Sequence, residues 1–281
     1  MLFELFFYLF WVVVGGLVFF YVGLYFWQEH LLFHPRPIPN SNQQWITQTY
    51  PHSDLNIRTA DGIQLHGWLI KPDIQPTKSP LIIYFGGNTE EMSGMSYHAQ
   101  RFGGWAVLLI NYRGFGLSAG KPSEKSMLSD AITIFDTISK RPDIDLHKIV
   151  VMGRSLGSGI AVHLAAQRPL SGIILVTPYD SITRVAQRIF PYVPISLLLK
   201  HPFNSLKLAP KLTTPMLALV AQQDILIPPE HAYHLVEAWQ GIYEFKLIEQ
   251  VDHITISDIE IYWETIRHFL ARIPFQNKNI P

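Results

Sequence analysis

Ser155 stands at the centre of Gly153-Arg154-Ser155-Leu156-Gly157, directly after the apolar run Ile149-Val150-Val151-Met152 and before the helical-looking Ala161-Val162-His163-Leu164-Ala165-Ala166. Strand, sharp turn and helix in that order form the setting of a nucleophilic serine, with glycines two residues either side because side chains there would collide with the neighbouring strand and helix. A serine hydroxyl at neutral pH is a poor nucleophile. It needs a histidine to accept its proton and a carboxylate to orient that histidine.

In a site of this kind the partners follow in the order serine, acid, histidine, on loops after late strands. Asp224 lies just beyond the apolar run Met216 to Ala221, and His253 follows the run Glu244 to Ile248 and precedes the final helical segment. Ser155, Asp224 and His253 are therefore the candidate catalytic residues. Asp180, in Thr177-Pro178-Tyr179-Asp180, is the rival acid, one strand earlier. Asp252 is too close in sequence to His253 to orient its ring and is read as shaping the loop. His231, His234 and His268 lie within helical segments, and the spacing of His231 and His234 is not a zinc signature.

A tetrahedral intermediate also needs two N–H donors. Leu156, after the nucleophile and at the positive end of its helix, supplies one by its backbone. The loop Gly86-Gly87-Asn88 after the run Leu81 to Phe85 supplies the other, assigned to the Asn88 N–H with Gly87 as fallback.

The elements that must position these residues are legible as alternation. Leu55–Thr59 and Ile63–Ile70 flank Ala60-Asp61-Gly62 and read as a hairpin. Strands are expected at Leu81–Phe85, Ala106–Ile110, Lys148–Met152, Gly172–Val176, Met216–Ala221 and Glu244–Ile248, mostly as continuous apolar runs suited to strands covered on both faces. Helices are expected between them at Glu91–Phe102, Glu124–Lys140, Ser155–Gln167, Glu230–Trp239 and Asp258–Ile273. Such alternation implies an α/β protein with a mainly parallel sheet wrapped by helices.

The 281 residues carry zero formal charge, which gives no reason to expect nucleic acid as a partner, and contain no cysteine, which excludes disulfides, thiolate metal sites and a cysteine nucleophile. Charged residues amount to 16%, below the usual quarter, and the deficit is concentrated at the N-terminus. Leu5 to Trp27 contains no charge and has aromatic residues at both ends. About twenty apolar residues cross a bilayer, so residues 1–27 are read as a transmembrane anchor. Its flanks lack the basic start and small-residue cleavage pattern of a signal peptide. Only Arg36 lies close beyond it, so the side of the membrane on which the catalytic domain sits is left open. Residues 28–45, with Pro35, Pro37 and Pro39, read as a stiff linker, 46–275 as the catalytic domain, and 276–281 as a frayed tail.

Tyr84-Phe85-Gly86-Gly87-Asn88, Asn111-Tyr112-Arg113-Gly114-Phe115-Gly116-Leu117-Ser118, the serine turn, Asp224 before Ile227-Pro228, and Asp252-His253 together resemble the α/β-hydrolase superfamily, closest to its membrane-anchored, bud-emergence-type branch. The resemblance runs from about residue 50 to 272 and takes in the N-terminal segment. It implies an eight-stranded, mainly parallel sheet flanked by helices, with a cap inserted at about 182–208. The apolar stretch Ile189 to Leu199 within that cap is either a lid over an acyl pocket or a helix that merely packs on the sheet. Gly86 stands where the family usually has histidine before the oxyanion glycine.

The implied activity is a serine hydrolase cleaving ester or thioester bonds of a small or lipid-like acyl substrate, with no cofactor or metal needed. A serine peptidase acting on small peptides and a non-catalytic membrane scaffold are the alternatives.

Overall fold

The computed structural model describes residues 2–73 and 77–273; the tail expected at 276–281 lies outside the described residues. Eight strands form one sheet: β1 (Asp54–Arg58), β2 (Gln64–Ile70), β3 (Ser79–Phe85), β4 (Ala106–Ile110), β5 (Ile144–Arg154), β6 (Gly172–Val176), β7 (Met216–Ala221) and β8 (Tyr243–Ile248). Their spatial order is β1-β2-β4-β3-β5-β6-β7-β8. The β1–β2 hairpin is antiparallel and joins antiparallel to β4, while every pairing from β4 to β8 is parallel. This matches the sheet expected from the alternating runs.

Parallel strands are buried on both faces, which is why they read as unbroken apolar runs. Successive residues of β3 nonetheless serve different cores, because side chains alternate across a strand. Leu81, Ile83 and Phe85 join one apolar cluster, and Ile82 and Tyr84 join the other. The helices include α1 (Leu2–Leu32), α2 (Asn40–Thr49), α3 (Glu124–Ile138), α4 (Leu156–Ala165), α5 (Ile182–Ile189), α6 (Ile195–Leu198), α7 (Pro229–Glu237) and α8 (Glu260–Ala271). Residues of α3, α4 and α7 complete the first cluster, and those of α2 and α8 the second.

Met92–Phe102, expected as an α-helix, is instead a succession of 3₁₀ turns. Ser93, Gly94 and Ser96 explain the difference. Their side chains or backbone freedom compete with the i→i−4 ladder, and the Ser96 hydroxyl bonds the Ser93 carbonyl.

The segment expected as a spacer also differs. Helix α1 runs on to Leu32, α2 begins at Asn40, and Phe33 and Ile38 are buried between them. Phe33 and Ile38 therefore anchor this otherwise largely exposed stretch to the domain. Three prolines set the bends of this stretch, but its apolar side chains have a core to enter.

Helix α1 is long and apolar enough to cross a membrane. Its partly buried positions Tyr21, Leu24, Gln28 and Leu32 recur every three or four residues and so share one face. That face meets the cap, which consists of α5 and α6 between β6 and β7.

Candidate active site

Three loops at the C-terminal edge of the sheet bring Ser155, Asp224 and His253 together. His253 Nε2 lies 3.0 Å from Ser155 Oγ, and His253 Nδ1 lies 2.6 Å from Asp224 Oδ2. All three are well shielded, with Asp224 4% exposed. The other Asp224 oxygen accepts the amides of Leu226 (3.0 Å) and Ile227 (2.8 Å). One carboxylate oxygen is thus fixed by the backbone while its partner faces the imidazole, a geometry that selects the Nδ1–H tautomer and leaves Nε2 free to take a proton from serine.

The serine turn is built as the glycine spacing requires. Ser155 has φ 50° and ψ −119°, a strained backbone for a residue with a side chain. A Cβ on Gly153 would overlap the Gly157 carbonyl, and one on Gly157 would overlap the Phe85 carbonyl. The Ser155 amide donates to Val176 O of β6 (2.9 Å), and the Ser158 hydroxyl donates to Ser155 O (2.7 Å). Neighbouring elements therefore impose the strain and hold the hydroxyl above the sheet edge.

Leu156 is the first residue of α4, so its N–H has no acceptor within the helix. Asn88 lines the same cavity as Ser155 and Leu156. The Gly87 amide, the fallback donor, is already taken: it donates to Glu90 Oε2 at 2.9 Å. Glu90 also accepts the Tyr84 hydroxyl (2.8 Å), and its carboxylate lies 4.0 Å from Arg154 Nη1. Arg154 in turn donates through Nη2 to the carbonyls of His253 and Ile254, both at 3.1 Å. Glu90 and Arg154 were not identifiable from spacing alone. They tie the loop bearing Asn88 to the loop bearing His253.

The rival acid faces elsewhere. Asp180 is fully buried and meets His231 Nδ1 (2.8 Å), His234 Nδ1 (3.2 Å) and Arg184 Nη1 (3.0 Å). Burial alone would raise its pKa. The bond to His231 and the adjacent cationic groups outweigh this and hold the carboxyl below its ordinary value. His231 and His234, on α7, accordingly serve as partners of Asp180. Asp252 shapes its loop by accepting the Ile254 and Thr255 amides, both at 2.9 Å. The Arg113 guanidinium pairs with both Asp61 and Asp130, bracing the loop after β4 away from the serine.

A cavity of about 210 Å³ opens over Ser155. Its walls are apolar side chains of the cap and of α1, and the only polar side chains among the described lining residues are Gln28, Asn88 and Ser155. Ile189, Phe190, Val193, Ile195, Leu198 and Leu199 of the cap all line it, together with Ser155.

The sequence model of the serine aminopeptidase family S33 matches residues 77–203. A Saccharomyces cerevisiae protein named an uncharacterized membrane protein is 34% identical over 234 residues, covering 80% of this chain and 81% of that one. The protein bem46 of Schizosaccharomyces pombe is 28% identical and covers 74% of each chain. Among solved structures, an esterase of Pyrococcus furiosus superposes with a TM-score of 0.65 at 20% identity, over 86% of this chain and 97% of that one.

Proposed function

The chain belongs to the α/β-hydrolase superfamily, in its bud-emergence-type branch, and from that membership we propose a membrane-anchored serine hydrolase that cleaves ester or thioester bonds of an acyl substrate. The observation that carries this reading is the unbroken chain from Ser155 Oγ through His253 to Asp224 Oδ2, at 3.0 and 2.6 Å, beneath an apolar cavity.

Ser155 Oγ attacks the substrate carbonyl carbon while His253 Nε2 takes its proton. Asp224 holds the ring and stabilises the imidazolium that forms. The amides of Leu156 and Asn88 bind the oxyanion of the tetrahedral intermediate. His253 then returns the proton to the departing alcohol or thiol, leaving an acyl-Ser155 ester. Water, deprotonated by the same imidazole, attacks that ester and releases the acid. The apolar length of α1 and the chain's similarity to the yeast membrane protein support attachment to a membrane.

The matching family model favours a second reading, cleavage of short peptides from a free amino terminus. An ammonium group needs a carboxylate partner when it is taken from water. No acidic side chain is present among the described residues that line the cavity, and this favours the acyl reading.

Labelling with a fluorophosphonate probe, wild type beside Ser155→Ala, tests the proposal. It requires labelling that depends on Ser155 and ester turnover that exceeds matched amide turnover. Folded wild-type protein that takes no label would leave the non-catalytic scaffold as the better account.

A further inference from the structure

The cavity over Ser155 is not closed by the catalytic domain alone. Leu24, Gln28, Leu31 and Leu32, from the last third of α1, form one of its walls. The remaining wall is the cap, represented by Val185, Ala186 and Ile189 of α5. Gln28 pins helix and cap together. Gln28 Nε2 donates to Leu198 O (3.0 Å), and its Oε1 accepts the Lys200 amide (2.7 Å). The end of the helix is also stitched to the loop beneath it, with Asn88 Nδ2 donating to Leu32 O and the His34 amide to Asn88 O, both at 3.1 Å.

The length of α1 places this wall relative to a bilayer. Its 31 residues measure about 46 Å at 1.5 Å per residue, against a hydrocarbon core of about 30 Å. Taken at the end that joins the catalytic domain, the excess corresponds to roughly the last ten residues, among which Leu24, Gln28, Leu31 and Leu32 face the cavity. Exposed Tyr25, Phe26 and Trp27 lie in the same turns, as befits the level of the lipid headgroups. The Lys200 ammonium covers the Tyr25 ring at 4.5 Å, bringing the cap to that level too.

The surface around the cavity is apolar as well. Tyr192 (93% exposed) and Leu197 (82%) project from the cap, and Ile225 (90%) and Ile254 (69%) project from the loops that carry Asp224 and His253. A water-facing surface would not concentrate large apolar side chains beside its site. A surface resting on acyl chains would.

Building on the serine hydrolase reading, we infer that the membrane helix is itself part of the substrate site. The cavity between α1 and the cap takes the single acyl chain of a lipid ester, which enters sideways from the bilayer and places its carbonyl over Ser155. The carbonyl end meets Asn88 and Leu156, and the chain lies along Leu24 and Leu31. Each methylene that enters such a wall raises kcat/KM by up to about fourfold, until the cavity is full.

The test uses the full chain in phosphatidylcholine nanodiscs, with p-nitrophenyl acetate and p-nitrophenyl dodecanoate as probes. The wild type is expected to prefer dodecanoate in kcat/KM. Leu24→Trp fills the cavity from the helix side and Ala186→Leu from the cap side. Each is expected to lower the dodecanoate-to-acetate ratio by at least tenfold while fluorophosphonate labelling of Ser155 persists. A variant that loses both its label and its thermal unfolding transition is misfolded, and the other then decides. A folded variant without label has its cavity blocked up to Ser155, which supports the inference. Labelled variants with an unaltered ratio, or a wild type that prefers acetate, would overturn the inference and leave the hydrolase reading standing. A wild type that neither labels nor turns over either ester would overturn both.

Discussion

Asn88 and Leu32 are joined across the boundary between the catalytic domain and the N-terminal helix: the Asn88 side-chain amide donates to the Leu32 carbonyl at 3.1 Å. The Asn88 carbonyl is held in turn by the His34 amide, also at 3.1 Å. The loop whose backbone is proposed to bind the oxyanion thus takes its position partly from α1. Asn88→Ala keeps the backbone N–H and removes the tether. It is expected to lower kcat by about tenfold, less than the 10²–10³ that accompanies outright loss of an oxyanion donor. Burst and steady-state ester kinetics check this, and a change confined to KM would speak against it.

Ser155→Ala should lower turnover by roughly 10⁴ to 10⁶, with Asp224→Asn nearer 10⁴ because the histidine then takes the wrong tautomer. Asp180→Asn should do far less to turnover. It should instead lower the thermal midpoint, because His231, His234 and Arg184 lose the full charge of the buried carboxylate that they surround. Measuring kcat and the melting temperature for both aspartate variants separates the roles. If Asp180→Asn proves the more damaging to turnover, the acid is misassigned.

Glu90→Ala frees the Gly87 amide and leaves Arg154 without its nearby carboxylate. Both the oxyanion loop and the His253 loop lose a brace, so kcat should fall by about ten- to a hundredfold with KM little changed. Glu90→Gln retains an acceptor for Gly87 and should recover part of the loss. Equal damage from both substitutions would point to charge rather than positioning.

Burial pushes the pKa values of His98, His163 and His201 below the ordinary 6.5. For a group whose folded pKa is depressed, the unfolded chain binds more protons below 6.5, so stability is lost there as the pH is lowered. Stability from these three side chains is complete above 6.5 and declines through the range below it. Thermal midpoints between pH 7.5 and 5.5 should therefore drop, and His163→Gln should make the drop shallower. A flat profile would show that these rings protonate without cost.

The order of strands and helices was readable because each parallel strand must be apolar on both faces, and runs such as Ala106–Ile110 and Met216–Ala221 have no other use. The turn at Ser155 was readable because Gly153 and Gly157 are demanded by contacts that any side chain would violate. Asp224 and His253 were readable as positions after late strands, since strand ends in a parallel sheet converge on one edge. The 3₁₀ path of Met92–Phe102 was not, because its apolar spacing mimics an α-helix while Ser93 and Ser96 act on the backbone locally.

The amino-acid sequence by itself thus determined the sheet, the serine turn and the apolar length of α1, all of which follow from local pattern and steric need. Tertiary structure alone decided which partner each long-range polar group found. Asp180 faces His231 while Asp224 faces His253, although both carboxylates follow strands of the same edge. Glu90 occupies the Gly87 amide, and α1 walls the cavity over Ser155. The order of motifs already favoured Asp224 over Asp180 as the partner of His253. No sequence pattern encodes the contact of Asp180 with His231 or the place of α1, because each depends on where two distant segments meet once the cores on both sides of the sheet have packed.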